Sequence, residues 1–293
     1  METPTKLNGF HSLKRNLDIV VISDVHLGTY GCKASELLQY MKSIQPKTVI
    51  LNGDILDIWQ FSKNYWPKSH MKVVKQIMNW IQKGVDVHYI TGNHDEMLRK
   101  FEGLELGSFS IKNKLVLELD DKKAWFFHGD VFDITMQHSK WLAKLGGIGY
   151  DFLIHFNSAV NLVSQKLGKG RISLSKKIKN KVKIAVKFIN NFEKTATDIA
   201  IDNEYDYVIC GHIHEPEIKE FSNADGKVLY LNSGDWIENL SALEYKDGQW
   251  QIYYYNEIDF EPLIDELDLV GKSSKEIFND MLSNFKNLEK VKN

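Results

Sequence analysis

The sequence predicts an α/β fold whose strand ends converge on one site, and three observations predict it. Short apolar runs recur along the chain, helix-like stretches separate several of them, and five of the runs stop at turns rich in acids, imidazoles and glycine. Strands alternating with helices give a layered α/β architecture. In such sheets, ligand sites gather beyond the carboxyl ends of the strands.

Leu17–Ile22 reads as a buried strand ending at Ser23-Asp24, and Glu36–Ile44 has helical spacing. Thr48–Leu51 is a second strand, ending at Asn52-Gly53-Asp54, and His70–Gln82 is again helical. Val85–Ile90 ends at Thr91-Gly92-Asn93-His94, Ala124–Phe127 at His128-Gly129-Asp130, and Tyr207–Cys210 at Gly211-His212-Ile213-His214. Val228–Leu231 and Gln251–Tyr255 read as later strands. Between Asp133 and Asn203 the period becomes helical, with Leu174, Ile178, Val182, Ala185, Ile189 and Phe192 on one stripe. The organisation expected is therefore a core of residues 1–135 and 204–260, a helical cap insertion over 136–203, and a helical, charged C-terminal segment over 261–293.

Composition narrows the function classes. The chain has 293 residues, a formal net charge of −2 and 43% hydrophobic content, as an ordinary globular protein does. A near-neutral balance gives no general attraction to nucleic acid, and none is expected as a partner. Cys32 and Cys210 have neither disulfide-framework nor zinc spacing, which fits a reducing compartment. Residues 1–14 hold no apolar run of signal-peptide length, and no stretch approaches the roughly 20 apolar residues of a membrane span. The expectation is a cytoplasmic protein, with any membrane contact peripheral and on the inner face.

The five turns supply Asp24 and His26, Asp54, Asn93 with His94 and Asp95, His128, and His212 with His214. Oxygen and imidazole donors suit manganese, iron, zinc or cobalt rather than a thiolate-selected metal, and of these manganese is the expectation. A carboxylate has lone pairs enough to bridge two ions. In Asp24-Val25-His26 and His212-Ile213-His214, alternate side chains of an extended turn can point into one pocket. Each motif alone is weak; all five in order, each behind a strand, are specific. Asp130 reads as structural, as do His70, His88, His138 and His155. Asp57, Trp59 and Asp133 flank the turns, where packing is the leading reading and substrate contact the second.

This set resembles the calcineurin-like metallophosphoesterase family over roughly residues 17 to 237: DxH, GD, GNHD, HGD and GHxH, in that order. The resemblance implies a four-layer β-sandwich flanked by helices. It implies two divalent ions, one held by Asp24, His26, Asp54 and His214 and the other by Asp54, Asn93, His128 and His212, with Asp54 shared. Paired ions lower the pKa of a shared water and clamp phosphoryl oxygens. His94 is implied as a catalytic group that stabilises the phosphoryl oxygens or protonates the leaving group. Asp95 is implied to hold the His94 ring, as carboxylates do for imidazoles near metals. Its other reading is an N-cap for the segment Glu96–Phe101.

From Lys166 through Phe192 there are nine basic residues and no acid: Lys166, Lys169, Arg171, Lys176, Lys177, Lys179, Lys181, Lys183 and Lys187. A basic amphipathic stretch suits a phosphate-rich ligand or an anionic lipid surface; the plainer reading is a solvated face. Together with Ser23-Asp24-Val25-His26-Leu27-Gly28, Phe132-Asp133 and Asn232-Ser233-Gly234-Asp235-Trp236, the chain is similar to the UDP-2,3-diacylglucosamine pyrophosphohydrolase group and its paralogues. That resemblance implies cleavage of a pyrophosphate in lipid A biosynthesis, yielding UMP and a lipid 1-phosphate, with Arg171, Lys176 and Lys179 as phosphate contacts. The best-known branch has Arg where this chain has His94. The resemblance therefore also admits another phospholipid-like, nucleotide or phosphomonoester substrate. A non-catalytic, metal-bound scaffold is the remaining alternative, and such proteins usually lack a ligand or the acid histidine.

Overall fold

The computed structural model describes residues 14–58, 65–132, 189 and 191–260. The chain runs β1 (Arg15–Ile22), α1 (Ala34–Ser43), β2 (Ile44–Asn52), α2 (Lys68–Gln82) and β3 (Asp86–Ile90). It continues through β4 (Glu105–Leu106), β5 (Phe109–Lys112), β6 (Lys114–Leu119) and β7 (Lys122–Phe127). A helix over 191–202, here α3, precedes β8 (Tyr207–Cys210), β9 (Glu217–Ser222), β10 (Lys227–Asn232), β11 (Ser241–Lys246) and β12 (Gln249–Tyr254).

The strands form two sheets. One has the order β12-β11-β1-β2-β3-β5-β4, the other β6-β7-β8-β10-β9. In the first, β1, β2, β3 and β5 run parallel; in the second, β7, β8 and β10 do. Strand periodicity of two explains how the layers are glued. Ile19 and Val21 of β1, with Ile50 of β2 and Leu243 of β11, face the second sheet, where they meet Phe126, Ile209 and Leu231. Val20 and Ile22 turn the other way, onto Leu37, Leu38 and Met41 of α1 and Val73, Ile77 and Trp80 of α2. The outer face of the second sheet, with Phe127, Val208, Cys210 and Tyr230, is covered by Phe192, Ala196 and Ala200 of α3. The result is four layers, helix–sheet–sheet–helix, as expected for the fold class.

The apolar strands and both early helices fall where periodicity put them, within a few residues. β4, β5, β6, β9 and β11 were not legible. β6 and β9 lie at sheet edges and alternate with charges. β11 buries Glu244 completely, and this carboxylate interrupts an otherwise apolar pattern. It is tolerated because Arg15 donates to it twice at 2.8 Å, with Tyr40 and Gln251 adding further bonds. Of the basic amphipathic stripe, Ile189 is helical and half-buried and Phe192 is buried in α3. The other stripe residues, the basic run including Arg171, Lys176 and Lys179, most of the expected cap, and 261–293 lie outside the described residues.

Candidate metal centre

All five motifs sit at the carboxyl ends of parallel strands. Asp24 and His26 follow β1, Asp54 follows β2, Asn93 to Asp95 follow β3, His128 follows β7, and His212 and His214 follow β8. The strands point one way, so their C-terminal turns share one end of the sandwich. The first two turns are laced together: Asp24 N–H donates to Gly53 O at 3.1 Å, and Val25 and His26 both donate to Asp54 O, at 3.0 and 2.9 Å.

Backbone conformation aims the side chains. Asp24, His26, Asp54, His212 and His214 all have positive φ, between 51° and 67°. Such left-handed residues are uncommon outside glycine and persist where the surroundings over-determine them. Two glycines are required by close approach. A Cβ on Gly92 would run into the Asp54 carboxylate, and one on Gly53, itself at φ +82°, would run into the His128 ring.

Three groups of ligand atoms each lie within 4.8 Å of one another: Asp24-His26-His214, His26-Asp54-His94, and Asp54-His128-His212. Asp24, His26, Asp54 and His128 are buried, while His94 and His214 keep 28% and 36% of their side-chain surface. Asp24 Oδ1, His26 Nε2 and His128 Nε2 are buried without a hydrogen-bond partner. His214 Nε2 is 3.1 Å from Asp24 Oδ1, and His128 Nε2 is 3.2 Å from Asp54 Oδ2, yet neither contact is aligned as a hydrogen bond. Buried polar atoms are normally satisfied. Acceptors left open on converging acids and imidazoles are what divalent cations need, so the residues fit the implied metals.

The electrostatics agree. Burial opposes ionisation of Asp24, but the charges of His214 and His128 outweigh it and take its carboxyl down to about 2. Asp54 is likewise held ionised against its burial by His128, His26 and His94. The imidazoles respond in kind: burial works against a charged His214 or His128, yet Asp24 and Asp235 bring His214 to about 9, and Asp54 and Asp24 push His128 well above its ordinary value. Without ions, protons on histidine supply the positive charge that two buried carboxylates demand, and metal binding must release them.

Around these groups stands a layer of fixed partners. His128 Nδ1 meets Asn52 O at 2.9 Å, which turns Nε2 inward. The expected partnership of Asp95 with His94 is replaced by another. Asp95 accepts from Gly92 N–H (2.6 Å), Ile55 N–H (3.0 Å) and the Tyr89 hydroxyl (2.5 Å), so it locks the Gly92–Asp95 turn against the Asp54 loop. It occupies the N-cap position of the short helical segment Glu96–Phe101 without a side-chain cap bond. The acid on the His94 ring is Asp57, whose Oδ2 lies 2.9 Å from His94 Nδ1 and 3.5 Å from His26 Nδ1. Its place three residues after Asp54, in Gly53-Asp54-Ile55-Leu56-Asp57, marks it as an acid near the turn but names no partner. His94 also donates its backbone N–H to Asp54 Oδ1 at 2.8 Å. Asp130 forms an ion pair with Arg99 at 2.5 Å and is structural, as expected.

A second positioning group follows β10. Asp235, fully buried, accepts from the backbone N–H of Ile237 and Glu238 at 2.7 and 2.6 Å and from Asn239 Nδ2 at 2.6 Å. Asn239 also donates to His214 O at 2.7 Å, so this turn braces the last motif.

Comparison with known proteins places the chain in a family. The family model described as calcineurin-like phosphoesterase matches residues 17–216. A UDP-2,3-diacylglucosamine hydrolase of Aliivibrio fischeri (strain MJ11) is 25% identical over 242 residues, covering 81% of this chain and 98% of that protein. The protein of the same name from Blochmanniella pennsylvanica (strain BPEN) is 24% identical over 256 residues, covering 81% and 96%. Among solved structures, an archaeal phosphodiesterase covers 80% of this chain and 98% of its own at 15% identity, with a TM-score of 0.40.

Proposed function

The chain belongs to the calcineurin-like phosphoesterase family of metal-dependent hydrolases, and on that premise we propose that it is a two-metal enzyme that cleaves the pyrophosphate of UDP-2,3-diacylglucosamine or a similar lipid-linked nucleotide sugar. The observation that carries the two-metal part is the pair of triads Asp24-His26-His214 and Asp54-His128-His212. They share no residue, and the middle triad joins them through His26 and Asp54. One ion falls to Asp24, His26, Asp54 and His214, the other to Asp54, Asn93, His128 and His212. Manganese is our assignment, and the mixed oxygen and imidazole set accepts iron, zinc or cobalt as well. When bound, the ions activate a water and neutralise phosphoryl oxygens.

The chain's own residues do the rest. Asp57 fixes Nδ1 of His94, which leaves Nε2 to face the phosphoryl group and donate to an oxygen of it or to the leaving group. The exposed fraction of the His94 ring lets it meet substrate. Asp95 holds the turn that carries His94. The basic run, with Arg171, Lys176 and Lys179, is assigned to phosphate contacts and to an anionic membrane surface on the cytoplasmic side. The substrate assignment is supported by the names of the relatives and by the extent of the match, 81% of this chain and nearly all of each relative.

Purified protein with manganese and UDP-2,3-diacylglucosamine should release UMP and the lipid 1-phosphate, identified by mass spectrometry. Absence of UMP from a preparation that still hydrolyses a chromogenic phosphodiester would reject this substrate. It would move the assignment to another phospholipid-like, nucleotide or phosphomonoester substrate, the wider range to which the His94 form of the third motif belongs.

A further inference from the structure

We propose that Tyr30 and Tyr65 form a stacking platform for a nucleobase at the rim of the metal centre, an inference that rests on the reading above only for the phosphate end of the ligand. Tyr30 is 84% exposed, the most exposed aromatic side chain among the described residues. It is nevertheless not loose. Its ring lies 3.7 Å, centroid to centroid, from that of Tyr65 at an interplanar angle of 34°. Tyr65 stands edge-on to His70 at 5.8 Å and 89°, and Trp66 does so from 5.6 Å at 80°.

His70 ties this cluster to the first motif. The ring is buried, and its Nδ1 accepts the Gly28 N–H at 3.0 Å. Burial lowers its pKa to about 4, so the ring stays neutral and keeps Nδ1 as an acceptor. The turn itself is closed by Thr29, whose N–H and hydroxyl both donate to His26 O, at 3.2 and 2.9 Å. Tyr30 therefore sits four residues beyond a candidate metal ligand on a braced turn. Even a fully extended chain would separate the two Cα atoms by at most about 14 Å, and the turn shortens that. A nucleotide with its phosphate among the motif side chains can reach it with its base.

The shape selects the ligand class. An acyl chain needs a concave apolar cleft. A stacked pair with one ring standing in solvent offers a flat π face, which every nucleobase can cover. The second tyrosine fixes the plane of the first, so less freedom is lost on binding.

The test compares UMP with ribose 5-phosphate, which keeps the sugar and phosphate but lacks the base. Affinities would be measured by titration calorimetry on manganese-loaded wild type, Y30A, Y30F and Y65A. Wild type should prefer UMP. The preference should fall roughly five- to hundredfold in Y30A, as expected for one lost base stack, persist in Y30F, and fall in Y65A. A wild type without preference, or a Y30A that keeps it, would overturn the platform. Equal loss for both ligands in Y30A would overturn it too, since that outcome marks a sugar or phosphate contact. Hydrolysis of UDP-2,3-diacylglucosamine is read separately, so failure there rejects the substrate and leaves the base preference to be judged on its own.

Discussion

At the scale of single residues, the site separates groups that converge as ligands from groups that aim them. His94 belongs to neither class: Asp57 holds its Nδ1, and its Nε2 is the proposed donor to the phosphoryl or leaving oxygen. His94→Ala should leave metal binding intact and lower kcat by about 10²- to 10⁴-fold, the usual range for a positioned acid or base. Asp57→Asn should give a smaller loss of kcat together with weaker metal binding, because Asp57 also stands beside His26. Loss of bound metal in His94→Ala would show the ring to be a ligand. The charges make a second prediction. His214 titrates near 9 against an ordinary value of about 6.5. A raised value means that its pairing with Asp24 stabilises the metal-free protein fully below pH 6.5 and is lost as pH rises through about 9. The Tm of chelator-treated protein should therefore fall over that range, and metal affinity should rise over the same range as the competing proton leaves. A Tm flat between pH 6.5 and 9.5, or one that falls equally in His214→Ala, would contradict the pairing. The motif residues themselves were legible because each carries its donor chemistry in its name. Asp57 was not, since an acid flanking a turn announces no partner until the turn is folded.

At the scale of elements, each motif is a strand end, and the first, second and fifth carry left-handed residues in their turns. The strands were legible because parallel β1, β2, β3 and β8 are apolar on both faces. The turns were legible only as compositions. That five expected ligands lie at positive φ follows from tertiary constraint, which no local pattern reports. Gly92 shows how tight the packing is, since even one methyl there meets the Asp54 carboxylate. Gly92→Ala should weaken metal binding at least tenfold while the protein remains folded by far-ultraviolet circular dichroism, because the clash falls on a ligand and not on the core. Metal affinity equal to wild type would mean that the turn relaxes more freely than this geometry allows. The edge strands β6 and β9 and the buried-acid strand β11 escaped the sequence reading for the opposite reason. Their charges are satisfied or solvated only in the assembled sheets.

At the scale of the molecule, two sheets with their parallel strands ending at one pole bring together residues from 24 to 239 in sequence. The order of five motifs was sufficient to anticipate this assembly, because only a common pole lets distant strand ends meet. The second sheet's part in the bracing, through Asp235 and Asn239 after β10, needed the fold itself. Metal content per chain tests the central claim most directly. Manganese-reconstituted, desalted wild type, assayed by inductively coupled plasma mass spectrometry, should carry two equivalents, and Asp54→Ala should carry one or fewer and show no hydrolysis. One equivalent in wild type, or two retained in an active Asp54→Ala, would contradict a centre built around a shared carboxylate.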